Sequence, residues 1–313
     1  MKNRMTSIAA LGVAIVAMLA VALVPISAQL ANSGAPNAKG APGAAAKGGG
    51  KGGGKGKGKA TGGPIQHIGT VDFGGQPDFG GPGMWSVPYI TNMSDRITAG
   101  GLETCQQFPM GAGGNTTSCA PFTALGKEVF AGRRKTDSAT DPEGFCLPPG
   151  VPRMMYTPYP MKMIQEPNMV TFVFEGGSHI WRPVPIGPKG FLQHERDPNP
   201  TYLGDSFGWW EGDTLVIDTI GFNDRTWLDF AGHPHGEKLH VIERFTRLDT
   251  LTLQHVAIIE DPDYYTQPWT VTITTGYQPQ GKMLEYICQE NERDSKHQLE
   301  QLQKLGISRE SIK

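Results

Sequence analysis

Alternation of apolar and polar positions dominates the second half of the chain and predicts β-strands. Between residues 213 and 220, for example, Leu215, Ile217 and Thr219 alternate with Val216, Asp218 and Ile220. Seven such strands without intervening helices exclude a β-α-β fold. They predict a mainly β protein, built as an antiparallel meander barrel of the lipocalin-like kind or as a sandwich. The predicted strands are 169–175, 178–184, 213–220, 238–247, 250–260, 268–275 and 282–289.

The segments that flank these strands have other patterns. Apolar residues at 122, 125, 129 and 130 predict a short helix with a basic end. Residues 61–121 are rich in Gly and Pro, which predicts an extended arm without regular structure, anchored by Trp85, Tyr89 and Ile90. We therefore divide the body into this arm, a β domain at 122–295, and a C-terminal helix with its tail at 296–313.

The N-terminus has the order of a secretory signal. Lys2 and Arg4 precede an apolar run, Ile8 to Val24, and Pro25 and Ala28 form the expected cleavage region. The pattern predicts a signal peptide at 1–28 and a periplasmic or extracellular protein. An uncleaved membrane anchor is the alternative. No later run is apolar enough to predict another membrane span.

A cationic segment follows the signal. Residues 29–60 consist mainly of Gly, Ala and Lys, with six Lys and no acidic residue. Such a segment cannot bury enough apolar surface to fold, so we expect it to be disordered. It is either a solvated spacer or a tether to an anionic cell-surface polymer.

The charge of the body excludes one class of partner. The residues from 61 onward carry 20 cations against 30 acidic residues, a formal charge of −10. This charge argues against a fold that binds nucleic acid.

Four cysteines in an exported protein favour two disulfides. The sequence allows three connectivities. We favour Cys105–Cys119, which closes a local loop, and Cys146–Cys288, which ties the start of the core to its end.

Three runs carry a resemblance to a known group of proteins. They are CLPPGVPRMM at 146–155, GWWEGDTLVIDT at 208–219 and GHPHGEKLHVIERF at 232–245. Over residues 120–295 the chain resembles a family of exported proteins from soil and sediment bacteria, Acidobacteria in particular, that carries no activity to transfer. The run from Gly208 to Trp210 also resembles the Gly-x-Trp opening of lipocalin-like barrels.

A histidine cluster is the strongest candidate for metal chemistry. His233, His235, Glu237 and His240 supply donors that suit a divalent transition metal such as Zn, Fe, Mn or Cu. On a strand, the first three share one face and His240 points the other way. His179 or His194 could complete the site. The alternative is a polar loop whose histidines hydrogen-bond to nearby acids.

Carboxylates offer a second candidate site. Asp224 and Asp229 flank Trp227 and could act as general acid and base on a glycoside or ester, with Glu237 nearby. The alternative is that they belong to turns and loops.

Aromatic residues in the strand region offer a third candidate site. They either fill the core or line a cavity for a small apolar or aromatic ligand. The proposed ligand contacts are Trp181, Trp210 and Trp227, with Arg182, Arg225 and Arg244 as polar anchors.

Three functions remain open after these observations. The sequence favours an exported protein that binds a small ligand. A metal- or carboxylate-dependent hydrolase or oxidoreductase centred on residues 233–240 is the first alternative, and a structural or assembly role at the cell surface is the second. The chain lacks GxSxG, Walker A and HExxH motifs, which argues against a serine hydrolase, a nucleotide-dependent enzyme or a zincin protease.

Overall fold

A computed structural model describes residues 62–67, 75–177, 180–191, 193–194, 199–290 and 294–306. Contacts divide the chain into two units, Met1–Lys57 and Gly58–Lys313, and all the described residues belong to the second. The predicted signal peptide at 1–28, the cationic segment at 29–60 and His179 lie outside the described residues.

One antiparallel sheet of ten strands is the largest element of the described residues. The strands are β1 Met84–Ser86, β2 Ile97–Ala99, β3 Gln106–Pro109, β4 Asn115–Ser118, β5 Met161–Glu166, β6 Met169–Phe174, β7 Trp181–Pro185, β8 Asp205–Glu211, β9 Thr214–Ile220, β10 His240–Asp249, β11 Thr252–Glu260 and β12 Trp269–Gln278. The order in the large sheet is β7-β6-β5-β1-β12-β11-β10-β9-β8, and β2 pairs with β12 beside this path; β3 and β4 form a separate hairpin.

The sheet folds back on itself around one core. Phe172 in β6 packs on Phe245 in β10, with ring centroids 5.1 Å apart, although the two strands are five positions apart in the sheet. Just after β7, Ile186 forms one isolated parallel bridge with Gly208 of β8, but the two edge strands form no ladder with each other in the described residues. Within the described residues the architecture is therefore sandwich-like and not a closed barrel, so the sandwich alternative of the sequence analysis is the one that forms.

Most of the predicted strands are present, and the alternation places alternate residues in the core. In β10, Val241, Glu243 and Phe245 are buried while His240 and Arg244 are partly exposed. The strand predicted at 282–289 is wrong, because this segment has no sheet pairing. Both neighbours of the preceding strand β12 are already occupied by β1 and β11, so the chain leaves the sheet after residue 278.

The Gly/Pro-rich segment contains more structure than the sequence indicates. It supplies β1 to β4, and β1 lies between β5 and β12 inside the large sheet. Trp85 on this strand is buried, and its indole N–H donates to the carbonyl oxygen of Phe79 over 2.8 Å. A three-residue strand gives too short an alternation to be recognised, which explains why the sequence analysis missed it.

Two helices lie outside the sheet. Helix α1, Ala124–Lys135, begins at Thr123, whose hydroxyl accepts from the N–H of Gly126 over 3.0 Å. Helix α2, Asp294–Lys304, packs against a short 3₁₀ turn at Pro142–Phe145. Both helices were predicted. Neither helix in the described part of the chain is long and apolar enough to cross a membrane.

Both favoured disulfides are formed, which confirms the predicted pairing. Cys105–Cys119 spans the β3–β4 hairpin, and Cys146–Cys288 joins positions 142 residues apart.

Candidate functional site

His233 is fully buried and both of its ring nitrogens have protein partners. Nδ1 lies 2.7 Å from Oδ2 of Asp229, and Nε2 lies 2.7 Å from Oγ of Ser118. Burial opposes ionisation of Asp229, but His233 and backbone N–H groups lower the pKa of this carboxyl. Nδ1 therefore donates to a carboxylate, and Nε2 shares a hydrogen bond with the hydroxyl of Ser118.

Ser118, His233 and Asp229 thus have the connectivity of a serine nucleophile, its base and an orienting carboxylate. All three side chains are fully buried. The rings of Phe130 and Phe122 lie 4.5 and 5.6 Å from the imidazole. Because the hydroxyl has no open side from which a carbonyl carbon could approach, the arrangement acts in this conformation as a buried cross-link between β4 and the 229–233 loop.

The other members of the histidine cluster point to different partners. His235 is buried, and its Nε2 lies 2.6 Å from Oγ1 of Thr226, while Glu237 is exposed. Burial lowers the pKa of His235 to about 4, so its imidazole is neutral at physiological pH. The structure therefore does not bring His233, His235 and Glu237 to one point.

His240 belongs to a separate polar cluster on the outer face of the sheet. Its Nε2 lies 3.0 Å from Oδ1 of Asp218, and Nε2 of His194 lies 2.9 Å from the same oxygen. Nδ1 of His194 also lies 2.9 Å from Asp205. The hydrogen bond to Asp218 raises the pKa of His240; burial opposes the charge of His194, but its two carboxylate partners raise its pKa as well.

These contacts leave the predicted metal site without convergent ligands. In the part of the chain that the structure describes, no group of three or more His, Cys, Asp or Glu residues is placed to hold a metal ion.

The two predicted catalytic carboxylates lie in different environments. Asp224 is exposed, whereas Asp229 is fully buried and accepts backbone N–H groups of Met93, Gly232 and His233 over 2.7 to 3.1 Å. Trp227 between them is buried beneath the guanidinium of Arg133, 4.7 Å from the ring centroid. The structure therefore does not present the two acids as a pair on one surface.

Arg182 is the centre of a charged network inside the sandwich. It lies 2.5 Å from Glu243 and donates to Oγ1 of Thr219 over 2.9 Å, and Glu243 in turn lies 3.0 Å from Nε2 of His255. Burial opposes the charge of Glu243, but Arg182 and His255 lower its pKa. The network joins β7, β9, β10 and β11 through the core, so Arg182 is committed to other protein groups.

The remaining predicted ligand contacts are scattered. Trp181 is 63% exposed on the opposite face of β7 from Arg182. Trp210 stacks on Phe79, Arg225 is exposed, and Arg244 pairs with Glu211 on the outer face. The aromatic residues that the sequence analysis singled out do not line a common cavity.

A cavity of about 480 Å³ lies elsewhere, between the turn at 142–145, residues 153–159 and helix α2. Four aromatic rings form part of its wall in two contacting pairs. Tyr89 and Phe230 have centroids 6.4 Å apart, and Tyr159 and Tyr286 have centroids 4.8 Å apart. The Cys146–Cys288 disulfide also lies in the wall.

A charged group lies at one side of this cavity. Arg153 holds Asp141 through two hydrogen bonds of 2.8 and 2.6 Å and contacts Glu143 over 2.7 Å. Burial alone would lower the pKa of Arg153, but the nearby carboxylates of Asp141 and Glu143 outweigh this effect and raise it. Burial, opposed by Arg153 and reinforced by Asp141, raises the pKa of Glu143.

The cavity wall also contains unusual backbone. Asp137, Ser138 and Cys146 have φ angles of 48°, 67° and 60°, and they are the three non-glycine residues with positive φ in the described ranges. All three line the cavity. Residues other than Gly, Asn and Asp rarely adopt positive φ, so Ser138 and Cys146 carry backbone strain. Backbone strain of this kind concentrates at functional sites.

Sequence reasoning missed this cavity because its wall comes from separate parts of the chain. Tyr89, residues 137–159, Phe230 and residues 286–301 are far apart in sequence, so no local pattern connects them. The available signal was the CLPPGVPRMM motif, which contains both Cys146 and Arg153.

Comparison of the chain with protein-family models, with curated proteins and with solved structures found no match in any of the three.

Proposed function

We propose that this chain is an exported protein that binds a small molecule with an apolar or aromatic body. The cavity of about 480 Å³ beside helix α2 carries the proposal. Its volume falls in the range of about 300–1,000 Å³ that small-molecule sites occupy. Its two pairs of aromatic rings offer flat apolar faces, while carboxylates and amides supply the few polar contacts that orient a ligand.

The backbone of the wall supports the same proposal. Two strained positions in the wall, Ser138 and Cys146, cost stability, and such strain concentrates at functional sites. The surrounding contacts hold them in place: Ser138 receives a hydrogen bond from Arg134 over 2.8 Å, and Cys146 is fixed by its disulfide.

Export is supported by two independent features. The first is the signal-like order of residues 1–28. The second is the pair of disulfides, a feature typical of oxidising compartments. A ligand would then be captured outside the cytoplasm.

The proposal is tested with tryptophol, an uncharged indole alcohol that fits the cavity. Isothermal titration of the purified full-length chain should detect binding, and Tyr89→Ala should weaken it by about two- to tenfold through loss of a ring contact. Tyr89 is 58% exposed, so this change should leave stability nearly intact.

Phe191→Ala is the matched control, because Phe191 is 76% exposed and lies outside the cavity wall. It should leave tryptophol binding unchanged. Equal effects of the two substitutions on tryptophol binding would count against the cavity as the binding site.

A further inference from the structure

We infer that the ligand of this cavity carries a positively charged amine. The inference rests on the proposed function and adds the charge of the ligand to it. Its basis is the charge of the wall, whose described lining residues include three carboxylates, Asp137, Asp141 and Glu143, one permanently charged cation, Arg153, and one histidine, His297, counted as neutral. The formal charge of these groups is −2.

Arg153 is not available to an anionic ligand. Its guanidinium donates two hydrogen bonds to Asp141 and also contacts Glu143, so its positive charge is already paired with two carboxylates. Arg134 lies behind the wall, where it donates to the hydroxyl of Ser138 over 2.8 Å. Even when Arg134 is counted, the site retains an excess of negative charge.

Three buried polar atoms of cavity-lining residues have no hydrogen-bond partner among the described residues; two are acceptors, and the third is the hydroxyl of Tyr156, which can donate as well as accept. Oδ1 of Asp137 and Oε1 of Gln298 are buried and receive no hydrogen bond from the protein. Both residues line the cavity. Both oxygens have almost no accessible surface, so they add negative potential to the wall and make no direct contact with a ligand. A buried carboxylate oxygen without a donor is costly, and a positive charge in the neighbouring cavity offsets part of that cost.

The aromatic wall suits the same ligand. Ammonium and alkylammonium groups are attracted to the faces of Tyr and Phe rings. Two ring pairs, Tyr159 with Tyr286 and Tyr89 with Phe230, lie in the same wall as the carboxylates and provide aromatic surface there. Aromatic faces and excess carboxylate together select an organic cation over a neutral alcohol or an acid.

Three probes with the same indole ring test the inference by isothermal titration of the full-length chain near neutral pH. Tryptamine is cationic, tryptophol is neutral and indole-3-propanoate is anionic. Tryptamine should bind about tenfold or more tightly than tryptophol, and the propanoate should bind most weakly.

The outcomes separate the two proposals. If tryptophol binds as tightly as tryptamine, the amine inference is wrong while the binding function stands. If none of the three probes binds, the binding function itself fails.

A substitution in the wall gives a second, independent test. Asp137→Asn removes the charge and keeps the shape, and Asn tolerates the positive φ of this position. Tryptamine affinity should fall about five- to tenfold, while tryptophol affinity should not change. The matched control is Asp213→Asn, which removes the same charge from an exposed turn and should affect neither probe. An equal loss for both probes in Asp137→Asn would show that Asp137 supports the loop and does not recognise charge.

Discussion

Asp229→Asn should be one of the most destabilising single substitutions in this protein. Oδ1 of Asp229 accepts N–H groups of Gly232 and His233, and Oδ2 accepts the N–H of Met93 and Nδ1 of His233. An asparagine has one oxygen, so its amide NH₂ must face one of these pairs of donors. Two buried donors then lose their acceptor, at about 1–3 kcal/mol each, which gives a loss of about 2–6 kcal/mol. Total stabilities of domains are about 5–15 kcal/mol, so the loss is large.

Urea unfolding, followed by circular dichroism and by tryptophan fluorescence, measures this loss. Asp224→Asn is the control, because Asp224 is exposed and its replacement should change the free energy of unfolding by less than about 0.5 kcal/mol. If Asp229→Asn is as stable as Asp224→Asn, the assignment of Asp229 as the hub of a buried network is refuted.

Two further predictions concern charge and cross-linking. Asp218→Asn should destabilise the protein more near about pH 5.5 than near about pH 9. The reason is that His194 and His240 have raised pKa values in the folded state. Their contribution to the free energy of unfolding is therefore complete below the unfolded pKa of 6.5 and is lost as the pH rises through the folded pKa values. Urea unfolding across this pH range measures the effect. Replacement of both Cys146 and Cys288 by Ser should lower the free energy of unfolding by about 5 kcal/mol, from the loop entropy for positions 142 residues apart. Isothermal titration should also show weaker tryptophol binding, because both cysteines line the cavity.

The fold was predictable where the physical signal is local. A strand such as β10 alternates buried and exposed side chains over ten residues, and this period is visible in the sequence. β1 is three residues long and is held by pairing with β5 and β12, which the sequence does not reveal. Segment 282–289 shows the reverse case, because its pattern permits a strand but both neighbours of the preceding strand β12 are already taken by β1 and β11.

The candidate site was less predictable than the fold. The sequence analysis grouped His233, His235 and Glu237 because they are close along the chain, but the loop turns each toward a different environment. The cavity joins residues that are far apart, such as Arg153 and Gln298, through long-range packing and a disulfide. Proximity in sequence is a poor guide to convergence in a loop, because no regular period fixes the direction of its side chains.

The distribution of strain separates the scaffold from the site. The sheet contains an internally paired charge network around Arg182 and Glu243, and none of the non-glycine residues with positive φ in the described ranges lies in one of its strands. Those residues occur at 137, 138 and 146, on segments outside the sheet that line the cavity. Because positive φ costs about 1 kcal/mol or more at Ser138 and Cys146, it persists only where other contacts fix these residues, and here a buried hydrogen bond and a disulfide do so. Proteins hold a ligand site in a fixed shape when a rigid sheet supports strained, cross-linked loops. For this reason we place the proposed function of this chain at the loops beside α2 and not at the histidine-rich segment.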